Sequence, residues 1–200
     1  MKSMKAILAL AMALLLALGA ASALAEGDTM ENNSMMFPAF EGMDLDGNPV
    51  TSELFKENSV TVVNFWFSTC APCIAELGEL NALNEALKLR GGEVIGINAD
   101  TIGGDEKMIM EAKELLKAKG AMYRNLYFPA DSEVGQLTYN IMAFPTTVVV
   151  DRNGNVVGEP ILGGIDNEAQ MKALQAILDE TLAKDMEMLD KDMMMEPDGM

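Results

Sequence analysis

Histidine is absent from this 200-residue chain, and cysteine occurs only twice. The first absence removes every Ser–His or Cys–His catalytic couple and every imidazole metal site. The two cysteines, Cys70 and Cys73, cannot make a four-ligand zinc site without a second pair, and no metal or other cofactor is expected. Cations are also scarce: 14 Lys and Arg stand against 31 Asp and Glu, a net charge of −17. Nucleic acid and anionic membrane surfaces repel such a polyanion, so neither is expected as a partner. Long apolar runs are missing, with one exception. Residues 6–21 are apolar behind Lys2 and Lys5, and Ala23-Leu24-Ala25 has the small-x-small form of a cleavage site. Residues 1–25 therefore read as a secretory signal cleaved after Ala25. If uncleaved, the same stretch, about 20 residues, is just long enough to anchor the chain in a bilayer. The working part is expected to be exported, in the periplasm, the cell envelope or the medium, where disulfides persist.

What is present after the signal falls into three parts. Residues 26–36 are polar and read as a flexible lead. Residues 37–184 carry the patterning of one compact domain. Asp46-Gly47 is a turn between short extended pieces, and Thr51 or Ser52 can cap a short helix that runs through Glu57. Residues 60–67 are β-branched and aromatic on both faces, the pattern of a strand in a sheet centre. Pro72 stands where helices begin, with Ile74, Leu77, Leu80, Leu83 and Leu87 as a stripe that ends at Gly91-Gly92. A second buried strand over 94–99, a glycine-bearing loop over 101–105 and a helix up to Gly120 follow. Beyond them come a strand over 123–128, a short helix over 132–140, and a hairpin turning at Asn153-Gly154. Asp166 is expected to cap a last helix with Met171, Leu174, Ile177, Leu178 and Leu182 on one side. This order of elements makes an α/β sandwich. Residues 185–200, acidic and rich in methionine, read as a disordered tail. Exposed thioethers there could also bind Cu(I) or scavenge oxidants.

The cysteine pair sits in VVNFWFSTCAPCIAEL, residues 62–77. As a structural bridge it would close too short a loop to stabilise the fold much. Its position between a buried strand and a helix start points to redox chemistry. Cys70 lies at the helix N-terminus, where unpaired amide hydrogens and the helix dipole favour a thiolate. Cys73, one turn in, is placed to resolve a mixed disulfide.

NFWFSTCAPCIAEL, together with AFPTTVVVDRNGNVVG some seventy residues later, resembles the TlpA/ResA group of exported thioredoxin-like proteins, within the redoxin (AhpC/TSA-like) superfamily. The opening FPAFEGMDLDGNPVTSELFKENSVTVVNFW resembles that group's N-terminal hairpin, so the likeness spans residues 37–182. It implies a thioredoxin-like three-layer α/β sandwich with an N-terminal β-hairpin and a strand–helix insertion over 100–128. It also implies that Pro145 is a cis-proline facing the CxxC, so that Phe144 and Pro145 bind substrate. Asn64 stands where ordinary thioredoxins keep a buried acid, and an amide cannot relay that proton. Glu76 matches the group's active-site glutamate, where desolvation would raise its pKa and let it exchange a proton with Cys73. Trp66 is a candidate contact for substrate. One departure stands out: Thr69 precedes the first cysteine, where relatives often have tryptophan.

The function expected on this basis is an extracytoplasmic thiol:disulfide oxidoreductase that reduces disulfides of partner proteins and is recharged by a membrane electron-donor protein. Two alternatives are a disulfide-forming oxidase of the same fold and a Cu(I) carrier using Cys70, Cys73 and the tail methionines. A strong oxidant needs an unusually stabilised thiolate, and no Lys or Arg lies between Lys56 and Lys88 to provide it. A peroxidase would need a threonine three residues before its reactive cysteine and a proline four before that, where Phe67 and Val63 stand.

Overall fold

A computed structural model of the chain describes residues 35–195. The signal segment, most of the lead and the last five residues lie outside the described residues. The domain is built on one seven-stranded mixed sheet. Its strands are β1 (Glu41–Asp44), β2 (Pro49–Thr51), β3 (Val60–Trp66), β4 (Gly92–Asn98), β5 (Arg124–Tyr127), β6 (Thr146–Asp151) and β7 (Val156–Leu162), in the order β2-β1-β5-β4-β3-β6-β7. The helices are α1 (Leu54–Glu57), α2 (Ala71–Lys88), α3 (Glu106–Ala118), α4 (Glu133–Tyr139) and α5 (Glu168–Met195). The α/β sandwich with its leading hairpin is therefore as expected.

Strand β3 is the axis. It runs parallel to β4 and antiparallel to β6, and all seven of its residues are buried because both faces of the sheet are covered. Alternation along the strand sends Val60, Val62 and Trp66 into the layer under α2 and α5, with Leu77, Leu80, Leu174 and Leu178. Val63 and Phe65 enter the opposite layer, where Phe37, Phe40, Phe55 and Phe128 meet edge to face. The same alternation aims Asn64 at α2.

Beyond α1, whose N-cap position is Glu53 rather than Thr51 or Ser52, three details differ from the sequence reading. The buried stripe of α2 is Cys73, Glu76, Leu77, Leu80, Asn84 and Leu87, so two polar side chains replace Ile74 and Leu83, which are only partly buried. Asn84 is satisfied there, accepting the Val94 N–H at 3.0 Å. Asn167 rather than Asp166 caps α5, its side-chain oxygen accepting the Ala169 N–H at 2.9 Å.

The third difference is the C-terminal boundary. Disorder is expected from residue 185, but α5 continues to Met195. Asp185 is buried and takes two hydrogen bonds from the Arg152 guanidinium, at 2.6 and 2.9 Å. Composition suggests a solvated tail, yet Met, Leu, Lys and Glu are good helix formers and no Gly or Pro interrupts them before Pro197. The ion pair then fixes the helix to the β6–β7 turn.

Candidate active site

The loop after β3 is held before the helix begins. Ser68 donates its N–H to Asp100 at 2.8 Å and its hydroxyl accepts from Asn98 at 3.0 Å, so the end of β4 fixes the approach to Cys70. Cys70 is the N-cap of α2, and its sulfur accepts the Cys73 N–H at 3.2 Å. This is one of the amide hydrogens that a helix leaves unpaired at its start. Pro72 fits the first turn, where its missing N–H costs nothing. The two cysteines form a disulfide. Cys70 keeps 5% of its surface in solvent and Cys73 keeps none. The asymmetry expected from the spacing is present.

One turn below Cys73, Glu76 is completely buried. One carboxylate oxygen accepts from the Asn64 amide at 2.9 Å, and the other accepts the Ile165 N–H at 2.7 Å. Asn64 also donates to the Thr147 hydroxyl at 3.0 Å, while its own side-chain carbonyl oxygen is buried without a partner among the described residues. Burial pushes the Glu76 pKa up to about 7 from the ordinary 4.5. The Ile165 and Asn64 hydrogen bonds oppose this rise, and the nearby Asp166 charge adds to it. Glu76 is therefore no exposed first-turn acid that merely complements the helix dipole. Tyr123, a buried phenol that feels the Glu76 charge, also has its pKa pushed up, mainly by its own burial.

The Phe144–Pro145 peptide is cis. The β3–β6 register, Phe65 opposite Thr146, and the edge-to-face packing of Phe144 on Phe67 at 5.2 Å set this turn beside the loop that leads to Cys70. The Pro145 carbonyl accepts the Gly163 N–H at 2.9 Å. The Ala143 carbonyl accepts the Thr146 hydroxyl at 2.8 Å, and Met142 and Ala143 are the exposed residues of this turn.

Trp66 must be reassigned. It is fully buried and donates its indole N–H to Asn125 at 2.8 Å, so it cannot touch a substrate. Asn125 has room there because β4 offers Gly96, where any Cβ would collide with the amide. Sequence reading missed Asn125, Thr147 and Asp100. Only Gly96 inside an otherwise apolar strand hinted at a close neighbour. Among the described residues no three His, Cys, Asp or Glu side chains gather to hold a metal ion.

A redoxin fold with a CxxC at a helix start and an acid beneath it defines the class of protein. The model of the AhpC/TSA family matches residues 34–158, and the chain belongs to that family. Among curated proteins it is 31% identical over 143 residues to the thiol-disulfide oxidoreductase ResA of a Bacillus cereus strain, covering 70% of this chain and 75% of that one. It is 29% identical over 131 residues to the thiol:disulfide interchange protein HelX of Rhodobacter capsulatus, covering 65% and 67%. Against the ResA of Bacillus thuringiensis subsp. konkukian the identity is 30%, and the match spans 65% of that protein's length. Among solved structures, a Chlorobium tepidum protein assigned as thiol:disulfide interchange protein DsbE superposes with a TM-score of 0.60 at 26% identity, over 74% of this chain and 96% of that one.

Proposed function

We propose that this protein is an exported thiol:disulfide oxidoreductase that reduces disulfides in partner proteins. The observation that carries this reading is the ordered trio of Cys70, which keeps 5% of its surface in solvent, Cys73 sealed behind it and Glu76 buried below. In the dithiol form, the Cys70 thiolate attacks one sulfur of the partner disulfide. The new bond joins Cys70 to the partner, and the other partner sulfur leaves as a thiolate and takes a proton from solvent. Cys73 then passes its proton to the Glu76 carboxylate and attacks Cys70 sulfur. This closes the Cys70–Cys73 disulfide and releases the second partner sulfur as a thiolate, which takes a proton from solvent. Two electrons move from the pair to the partner. Glu76 suits the transfer because its pKa, about 7, lies near ambient pH. Phe144 and cis-Pro145 position the incoming segment.

An exported reductant must be recharged, and a membrane electron-donor protein is the partner proposed for that step. Export itself rests on the pattern of residues 1–25. No described helix is long and apolar enough to cross a membrane. The Cu(I) carrier reading loses support. The β6–β7 turn bound by Asp185 lies at the end of the sheet opposite the cysteines, so the tail methionines and the pair cannot share an ion. Within the helix, moreover, no two of Met186, Met188, Met193 and Met194 are three or four residues apart, the spacing that brings side chains together.

The equilibrium reduction potential of the pair tests the direction. A value near about −270 mV fits a reductase, and one near about −120 mV would make the protein an oxidase.

A further inference from the structure

Residues 67–72 and 141–145, around Cys70, carry no charge, and apart from the exposed Thr69 and the partly buried Ser68 they are apolar or cysteine. Met142 is 98% exposed, Ala143, Ala71 and Pro72 are exposed, and Phe144 and Phe67 are half-buried beside them. An unbranched thioether held almost entirely in water is a poor arrangement for a monomer and a good one for gripping varied side chains.

The charges around this patch are mostly of one sign. Strands β3, β4 and β5 are parallel, β6 runs against β3, and β7 runs against β6. The ends of β3, β4, β5 and β7 and the start of β6 therefore share one end of the molecule with Cys70. The five connections there, residues 67–70, 99–105, 128–132, 140–145 and 163–167, contain Asp100, Asp105, Asp131 and Asp166 and not one Lys or Arg. Lys56, Arg90, Lys119 and Arg152 are in or beside the opposite connections, while at the CxxC end Lys107 and Lys172 stand near the starts of α3 and α5, Lys107 paired with Glu111. Net acidity alone does not require this segregation, which gives the CxxC end a negative field over an apolar centre.

We propose that the apolar patch centred on Met142 is the docking site for a disulfide-bearing segment with basic residues on both sides of its cysteines. The segment lays its apolar side chains on Met142 and Phe144, and its cations face Asp131 and Asp166. This rests on the reading of Cys70–Cys73 as a protein-disulfide reductant and adds to it the chemistry of the substrate. Steering by a field of this kind raises encounter rates and fades as salt shortens the Debye length.

The test uses the reduced protein, two disulfide peptides of one framework flanked by lysines or by glutamates, and hydroxyethyl disulfide as a small neutral control. The second-order rate constant for reduction is measured at low and at high ionic strength. The lysine peptide is expected to react about 10-fold faster at low salt, and the ratio is expected to approach one at high salt. Asp131→Lys with Asp166→Asn should collapse the low-salt ratio. Any effect of Asp166 on Glu76 cancels, because it acts on both peptides. Met142→Ser should slow both peptides without slowing hydroxyethyl disulfide. If the control is reduced but the two peptides react equally, or the glutamate peptide reacts faster, the docking proposal is overturned and the reductase reading stands. If none of the three disulfides is reduced, the reductase reading itself fails and the docking proposal with it.

Discussion

Glu76 and Asp185 are both carboxylates sealed inside the domain, 0% and 2% exposed, and their surroundings drive them in opposite directions. Asp185 faces a guanidinium that binds it at two points, so its pKa is held below the usual carboxylate value, first through the Arg152 hydrogen bonds. Glu76 has two neutral N–H donors and, among the described residues, no cation partner, and burial prevails over the donors to raise its pKa to about 7. The first site uses its charge to hold α5 against the β6–β7 turn. The second, one turn below Cys73, has the raised pKa that the proposed mechanism uses for proton exchange. Burial of an acid is thus no sign of function by itself; the absence of a compensating cation is the informative feature.

The comparison can be broken from either side. The largest effect is expected at the nucleophile. Cys70→Ser should abolish disulfide reduction, at least about 1,000-fold, while Cys73→Ser should accumulate a mixed disulfide visible by mass spectrometry. Next is Glu76→Gln, expected to lower the rate at pH 7 by about 10–100-fold and to flatten its pH profile. The stability effect of that substitution has a definite sign. Because the Glu76 pKa is raised on folding, the native state binds the extra proton, and its stability falls as pH rises from 4.5 through about 7. The displacement corresponds to about 3 kcal/mol, so the Gln variant should melt higher than the parent at pH 8 and close to it at pH 4. Equal melting at both values would mean that Glu76 is ionised without cost.

Asp185→Asn acts on stability alone. It should cost about 2–4 kcal/mol, at the lower side because Arg152 is partly exposed, and leave the reduction potential unchanged. Its pH dependence runs the other way. The Asp185 pKa is depressed, so its contribution is present above the unfolded value of 3.8 and is lost as pH falls through the folded one. Denaturant titration of both proteins across that range checks it. The smallest effect is expected at Asn64. Asn64→Ala removes a donor from Glu76, so the Glu76 pKa should rise further and the pH optimum of reduction should move up by about one unit. A drop in rate at every pH with the optimum unmoved would leave Asn64 a packing residue only.

Much of this is legible in the amino-acid sequence alone. The β-branched run over 60–66 shows its burial on both faces, and Pro72 with Gly91 brackets α2. Cys70 and Cys73 declare their asymmetry by their place relative to the helix start. Residues whose role depends on distant partners are not legible. Trp66 resembles a docking contact because aromatic residues near a motif so often are, but its indole is committed to Asn125, 59 residues away. The disordered-tail reading fails over residues 185–195 for the same reason, since nothing near Asp185 in sequence reveals that Arg152 will meet it. Local patterning reports elements and caps; pairs brought together by the sheet become visible only in three dimensions.

The most direct measurement is competitive alkylation of the dithiol form at neutral pH, with each cysteine mapped by mass spectrometry. The account predicts that Cys70 is labelled at least about 10-fold faster than Cys73, its thiolate lying at the helix mouth while its partner is shut inside. Equal rates at the two positions, or faster labelling of Cys73, would contradict it.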